Sequence, residues 1–123
     1  MAVLAPTGAN ADGLDAIQGA WAIQDMSCAD VFVSDQGKLE LRKRQDDTLP
    51  GIIVDGKSLR SGAAECTIAA FKPRPDGMSL LLSCASQISF GNLKVTLKIP
   101  DPNTLIRVDD EFPDVTTNFH RCK

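Results

Sequence analysis

The sequence predicts an all-β protein: a small antiparallel up-and-down β-barrel of about eight strands, with a short N-terminal helix and two disulfides. Three observations carry this expectation. Apolar and charged residues alternate in Lys38-Leu39-Glu40-Leu41-Arg42, and Leu93, Val95, Leu97 and Ile99 repeat the pattern, the period of two expected of strands with one buried face. Turn residues separate such runs at close intervals: Asp35-Gln36-Gly37, Asp55-Gly56, Pro73-Arg74-Pro75-Asp76-Gly77, Gly91-Asn92 and Pro100-Asp101-Pro102-Asn103. Finally, 123 residues supply a single core, and closing the sheet into a barrel hides the edges that so small a sheet would otherwise expose.

The elements follow in order. Residues 1–11 are mostly small, include Pro6 and Gly8, and predict a flexible arm outside a single domain of residues 12–123. From Asp12 to Gly19, the placement of Leu14, Ala16 and Ile17 suits one or two helical turns. Strands are then expected at 20–24, 30–33, 38–42, 51–54, 58–60, 66–71, 78–84, 87–90, 93–99 and 105–108, where β-branched or alternating apolar residues gather. Asp55-Gly56 carries a type I′ hairpin signal between two of them. Trp21, at the start of the first strand, is expected to anchor the core, with Gly19 letting the backbone pass close. Either Arg107 or Arg121 is expected to stack over its indole as a lid on one end of the barrel.

Composition narrows the functional classes. Thirteen Lys and Arg against sixteen Asp and Glu, a net charge of −3, give no basic footprint for nucleic acid. The longest strongly apolar stretch, Met78 to Cys84, is far shorter than the roughly 18 residues of a spanning helix. Cys28, Cys66, Cys84 and Cys122 are spaced 38, 18 and 38 apart without a C-x-x-C pair, which disfavours zinc and favours two structural disulfides in an oxidising compartment. Cys66 and Cys84 are symmetric about the turn at Pro75, so they can face each other across a hairpin and leave Cys28 with Cys122. The equal spacing equally allows Cys28 with Cys66 and Cys84 with Cys122. The start, Met1-Ala2-Val3-Leu4-Ala5-Pro6, lacks the basic and apolar regions of a secretory signal. With these cysteines, the expectation is a periplasmic or secreted protein whose signal has been removed.

No catalytic, cofactor-binding or metal-binding set is expected. Gly51-Ile52-Ile53-Val54-Asp55-Gly56-Lys57-Ser58 matches the letters of a phosphate-binding loop, but that loop must follow a strand and open a helix. Here Ile-Ile-Val wants extended structure, and the stretch reads as a hairpin. Asp46-Asp47 and Asp109-Asp110-Glu111 lack the spacing of a calcium loop and read as solvated loop charges. Arg42-Lys43-Arg44 is too short a basic run for nucleic acid and reads as the end of an exposed strand. His120 is the single histidine, and its neighbour Cys122 cannot be a nucleophile while it is in a disulfide. The expectation is therefore a protein that binds rather than one that catalyses.

A family resemblance adds to this reading. The small-residue arm, the helical piece ending in Gly19-Ala20-Trp21, Cys28-Ala29-Asp30-Val31, the later Cys66 and the hairpin Pro73-Arg74-Pro75-Asp76-Gly77-Met78-Ser79-Leu80 occur in that order. Together, over roughly residues 9–100, they resemble the small periplasmic Inh-type inhibitors of bacterial metalloproteases and related alphaproteobacterial envelope proteins. The resemblance implies an eight-stranded lipocalin-like barrel and a disulfide between the first two cysteines, Cys28 and Cys66. It also implies that an N-terminal arm beginning Ala2, Val3, Leu4, Ala5 and Pro6 enters a protease cleft and approaches its catalytic zinc.

Three functions stay in play. An inhibitor would plug a protease, a lysozyme or another hydrolase with an exposed segment. An envelope interaction protein would dock a partner through an apolar patch. A lipocalin-like carrier would need an apolar cavity of roughly 300 Å³ or more. In each case the chain is expected to act as a monomer, without a cofactor.

Overall fold

A computed structural model describes residues 14–42, 51–61, 64–85, 90–109 and 111–122. The arm, including Ala2, Val3, Leu4, Ala5 and Pro6, lies outside the described residues, as do Asp46, Asp47, Asp110 and residues 87–89 of the strand expected over 87–90. Leu14 and Asp15 are helical and run into a turn that feeds the first strand.

The strands are β1 (Gly19–Ile23), β2 (Phe32–Asp35), β3 (Lys38–Leu41), β4 (Gly51–Asp55), β5 (Ser58–Ser61), β6 (Ala64–Arg74), β7 (Gly77–Ala85), β8 (Phe90–Asp101), β9 (Thr104–Val108) and β10 (Thr116–Cys122). Eight of them close an antiparallel barrel in the order β1-β10-β9-β8-β7-β6-β5-β4, with β4 pairing back to β1. From β4 to β10 each strand pairs with the next, so neighbours in sequence are neighbours around most of the wall. The remaining two strands, β2 and β3, form a separate hairpin outside the barrel.

The period of two sorts residues between two cores. Trp21 of β1, Val54 of β4, Leu80 and Leu82 of β7, Val95 and Leu97 of β8, Leu105 of β9 and Phe119 of β10 point inward. Their neighbours Ala20, Ala22, Ile53 and Cys122 point outward, yet they are buried because Val31 and Phe32 cover them. The β2–β3 hairpin and the short helix before it therefore form a flap on the outer wall, and Ala20 and Ala22 are small enough to let it sit close.

Several sequence expectations need correction. Residues 30–31 are not extended: α1 (Cys28–Val31) is a single helical turn, because the Ser27 side chain accepts the Asp30 N–H and caps it. The strand β10 was not anticipated at all. The left-handed signs that mark a type I′ turn fall at Gln36 and Gly37, between the paired residues Asp35 and Lys38. In the β4–β5 hairpin the two central residues are Gly56 and Lys57, and only Gly56 has a positive φ, the sign pattern of a type II′ turn.

The disulfides are Cys28–Cys122 and Cys66–Cys84, not the Cys28–Cys66 pairing that the resemblance implied. Strand parity is the reason. Cys66 and Cys84 are directly opposed in the β6–β7 ladder, with Cα atoms 4.0 Å apart, and Cys66 belongs to the inner core. Cys28 lies in the flap, outside the wall, where it meets the outward-facing Cys122. A bond from Cys28 to Cys66 would have to pass through the sheet.

Candidate functional site

The two ends of the barrel are built differently. At one end lie the β4–β5, β6–β7 and β8–β9 turns, the start of β1 and the end of β10. Trp21 is fully buried there, and its indole N–H donates to the Ile17 carbonyl at 2.9 Å, so the turn before β1 serves as a plug. Arg121, not Arg107, stacks over the indole, with its guanidinium carbon 4.2 Å from the ring centroid. It also donates to the carbonyls of Pro102 at 2.9 Å, Gln18 at 2.5 Å and Ala16 at 3.0 Å, joining the plug to the β8–β9 turn. Gly19 has a φ of +113°, and a Cβ there would lie 3.2 Å from the Arg121 guanidinium. Gln18 closes the same end against the β4–β5 turn, accepting from the Gly56 N–H at 2.7 Å and donating to its carbonyl at 3.0 Å.

Above this plug the interior is hollow. A cavity of about 350 Å³ extends from Ile17 toward the opposite end, walled mainly by aliphatic side chains such as Val54, Leu82, Val95 and Leu105, and by Phe119. Among the described residues, its polar lining consists of Ser61 on β5, Arg107 on β9 and Thr117 on β10. Arg107 and Thr117 are direct partners across the β9–β10 ladder, one step beyond the inward-facing pair Leu105 and Phe119. The rim also carries Leu93, which lines the cavity and is nevertheless 43% exposed. The Cys66–Cys84 bridge fastens β6 to β7 at this end, and Cys66 contributes to the cavity wall.

The side chain of Arg107 makes no hydrogen bond, ion pair or ring contact among the described residues. In the nearby β9–β10 connection, Asp109 turns its carboxylate to its own loop, where it accepts from the Glu111 and Phe112 N–H groups at 2.9 Å. That loop displays Phe112 at 63% and Val115 at 56% exposure.

The remaining candidate residues sit elsewhere. Gly51 to Ser58 is the β4–β5 hairpin, so the letters of the phosphate loop have neither the loop nor the helix that phosphate binding requires. Arg42 follows β3 and donates to the Ala29 carbonyl at 2.8 Å, bracing the flap. His120 faces outward beside the flap, where its Nε2–H donates to the Met26 carbonyl at 2.8 Å and its Nδ1 lies 4.0 Å from the Cys28 sulfur. Cys28, His120 and Cys122 bring their ligand atoms within 4.8 Å of one another, but both sulfurs are bonded in the disulfide and are not thiolate ligands in this state. Between flap and barrel, Arg60 of β5 donates to Glu40 of β3 at 3.0 Å, and this contact holds the Glu40 carboxyl below its ordinary value.

Sequence reasoning identified Trp21 and the pair of arginines, but not Ser61 or Thr117. Their signal was present as polar residues at inward parity, and it becomes readable only once the register is known. No family model, curated protein or solved structure matches this chain. The fold and site together define a disulfide-bonded, closed eight-stranded antiparallel barrel, plugged at one end and hollow toward the other. The two disulfides fit an oxidising compartment, and no helix among the described residues is long and apolar enough to cross a membrane.

Proposed function

We propose that this chain is an exported binding protein, without catalytic activity, that carries a small apolar ligand inside its barrel. The observation that supports the reading best is the cavity of about 350 Å³ with an aliphatic wall. Small-molecule sites have volumes from roughly 300 Å³ upward, and an apolar cavity of about 150 Å³ already accommodates benzene. Well-packed interiors hold few voids larger than a water molecule, so a space of this size in a barrel otherwise built to pack is a strong feature. The disulfides favour the periplasm or the cell exterior as the place of action. Inhibition of a protease by residues 2–11 would rest on residues outside those described, and the cavity favours the carrier reading over it.

Titration with the neutral fluorescent probe N-phenyl-1-naphthylamine tests this. A saturable, one-to-one rise in fluorescence is expected. Val95→Trp, which fills the cavity from the wall, should abolish it while circular dichroism still reports a folded β protein. Absence of binding to the unmodified protein, or undiminished binding by a folded Val95→Trp variant, would remove the cavity as the site.

A further inference from the structure

Resting on the carrier reading, we infer that the ligand is a single-chain amphiphile with an anionic head: the chain lies in the cavity and the head meets Arg107 at the open end. Three observations converge on this. The cavity is apolar throughout its depth, and its described polar residues, Ser61, Arg107 and Thr117, include one cation and no carboxylate. Arg107 and Thr117 are ladder partners on the inner face, so a guanidinium and a hydroxyl stand side by side, one residue pair above Leu105 and Phe119. Two parallel donors of this kind suit the oxygens of a carboxylate, sulfate or phosphate.

The third observation is that no described residue engages the Arg107 side chain. Arg121, at the same inward parity in the opposite end, is engaged by the Trp21 ring and three carbonyls. Arg107 has no such contact among the described residues. Two residues along the chain, Asp109 accepts from the N–H groups of Glu111 and Phe112 in its own loop. On an apolar rim, a cation that no described residue engages lowers the free energy of an arriving anion far more than that of a neutral ligand. An aromatic or aliphatic ligand without a charged head would use the cavity but not this pair.

The test compares decanoate with 1-decanol, which share a chain and differ in head charge, by displacement of N-phenyl-1-naphthylamine at neutral pH. The unmodified protein should bind decanoate at least about tenfold more tightly than the alcohol, the factor expected of one charge-assisted hydrogen bond at a partly exposed site. Arg107→Gln should bring decanoate close to the level of the alcohol. Thr117→Val should reduce the preference by a smaller factor, and added salt should weaken decanoate alone. Equal affinity for the two probes in the unmodified protein would overturn the anionic head while leaving the cavity reading intact. A preference for decanoate that survives Arg107→Gln would overturn the assignment to Arg107. Failure of both probes, and of the fluorescent one, would overturn the carrier reading and this inference with it.

Discussion

Each end of the barrel has an arginine on the inner face of the wall, and the two are used in opposite ways. At the plugged end Arg121 lies over Trp21, and each of its three guanidinium nitrogens donates to a backbone carbonyl of the plug or of the β8–β9 turn. At the open end Arg107 sits above a hollow with no internal partner among the described residues. The difference shows what an inward charge requires. Facing an aromatic surface and carbonyls of the plug, the half-buried Arg121 becomes part of the closure, because its donors satisfy groups partly withdrawn from water. Facing aliphatic walls and solvent, the donors of Arg107 meet no partner among the described residues. One end of the molecule is closed by a hydrogen-bonded plug and the other opens on an apolar hollow, although the same strands build both.

The largest predicted effect breaks the plugged end. Trp21→Ala removes the largest fully buried side chain, deletes the indole hydrogen bond to Ile17 and leaves Arg121 without its ring. Truncations of this kind cost about 3–5 kcal/mol, and the variant should unfold at markedly lower urea concentration. An unchanged midpoint would mean that the plug contributes little to the fold.

The next prediction compares the two arginines directly. Arg121→Ala should destabilise by about 2–3 kcal/mol, from charge-assisted hydrogen bonds and the stacked ring, whereas Arg107→Ala should stay within about 0.5 kcal/mol of the unmodified protein. Equilibrium urea unfolding of both variants measures this. Similar losses for the two would erase the distinction between the ends, and with it the argument that Arg107 is free for a ligand.

Alternation made strands readable in the sequence, but it did not say which sheet they join: 93–99 belongs to the barrel wall, whereas 38–41 belongs to the flap outside it. The sequence also narrowed the lid over Trp21 to two arginines, but choosing between them needed the register that pairs Trp21 with Arg121. Strand β10 escaped notice because its inward residues are Thr117, Phe119 and Arg121, a series in which the polar rim and the cationic lid interrupt the apolar alternation. The helical turn at 28–31 was masked by Val31-Phe32-Val33, although Ser27 and Asp30 carry the spacing of a capped start. The cavity was not legible at all. Its volume depends on how the strands are staggered and how far opposing side chains reach, and neither is a local property of the chain.

The smallest predicted effect concerns the outside of the wall that lines the open end. Arg60 belongs to β5, whose neighbouring residues Leu59 and Ser61 line the cavity, and it is tied to Glu40 of the flap at 3.0 Å. The hydrogen bond and positive charge of Arg60, with a further contribution from Lys38, hold the folded-state pKa of Glu40 below 4.5. A carboxyl depressed on folding contributes stability above its unfolded value, and the contribution is lost as pH falls through the folded value. Glu40→Gln should therefore lower Tm slightly at neutral pH, and the difference from the unmodified protein should vanish below the ordinary carboxylate range. Both side chains are substantially exposed, so added salt should shrink the effect as well. Binding of N-phenyl-1-naphthylamine should not change, because the wall behind this contact is held by the β4–β5 and β5–β6 ladders. If Glu40→Gln weakened the probe more than it lowered Tm, the flap would be bracing the open end from outside, and the contrast between the two ends would rest on the flap as well as on the two arginines.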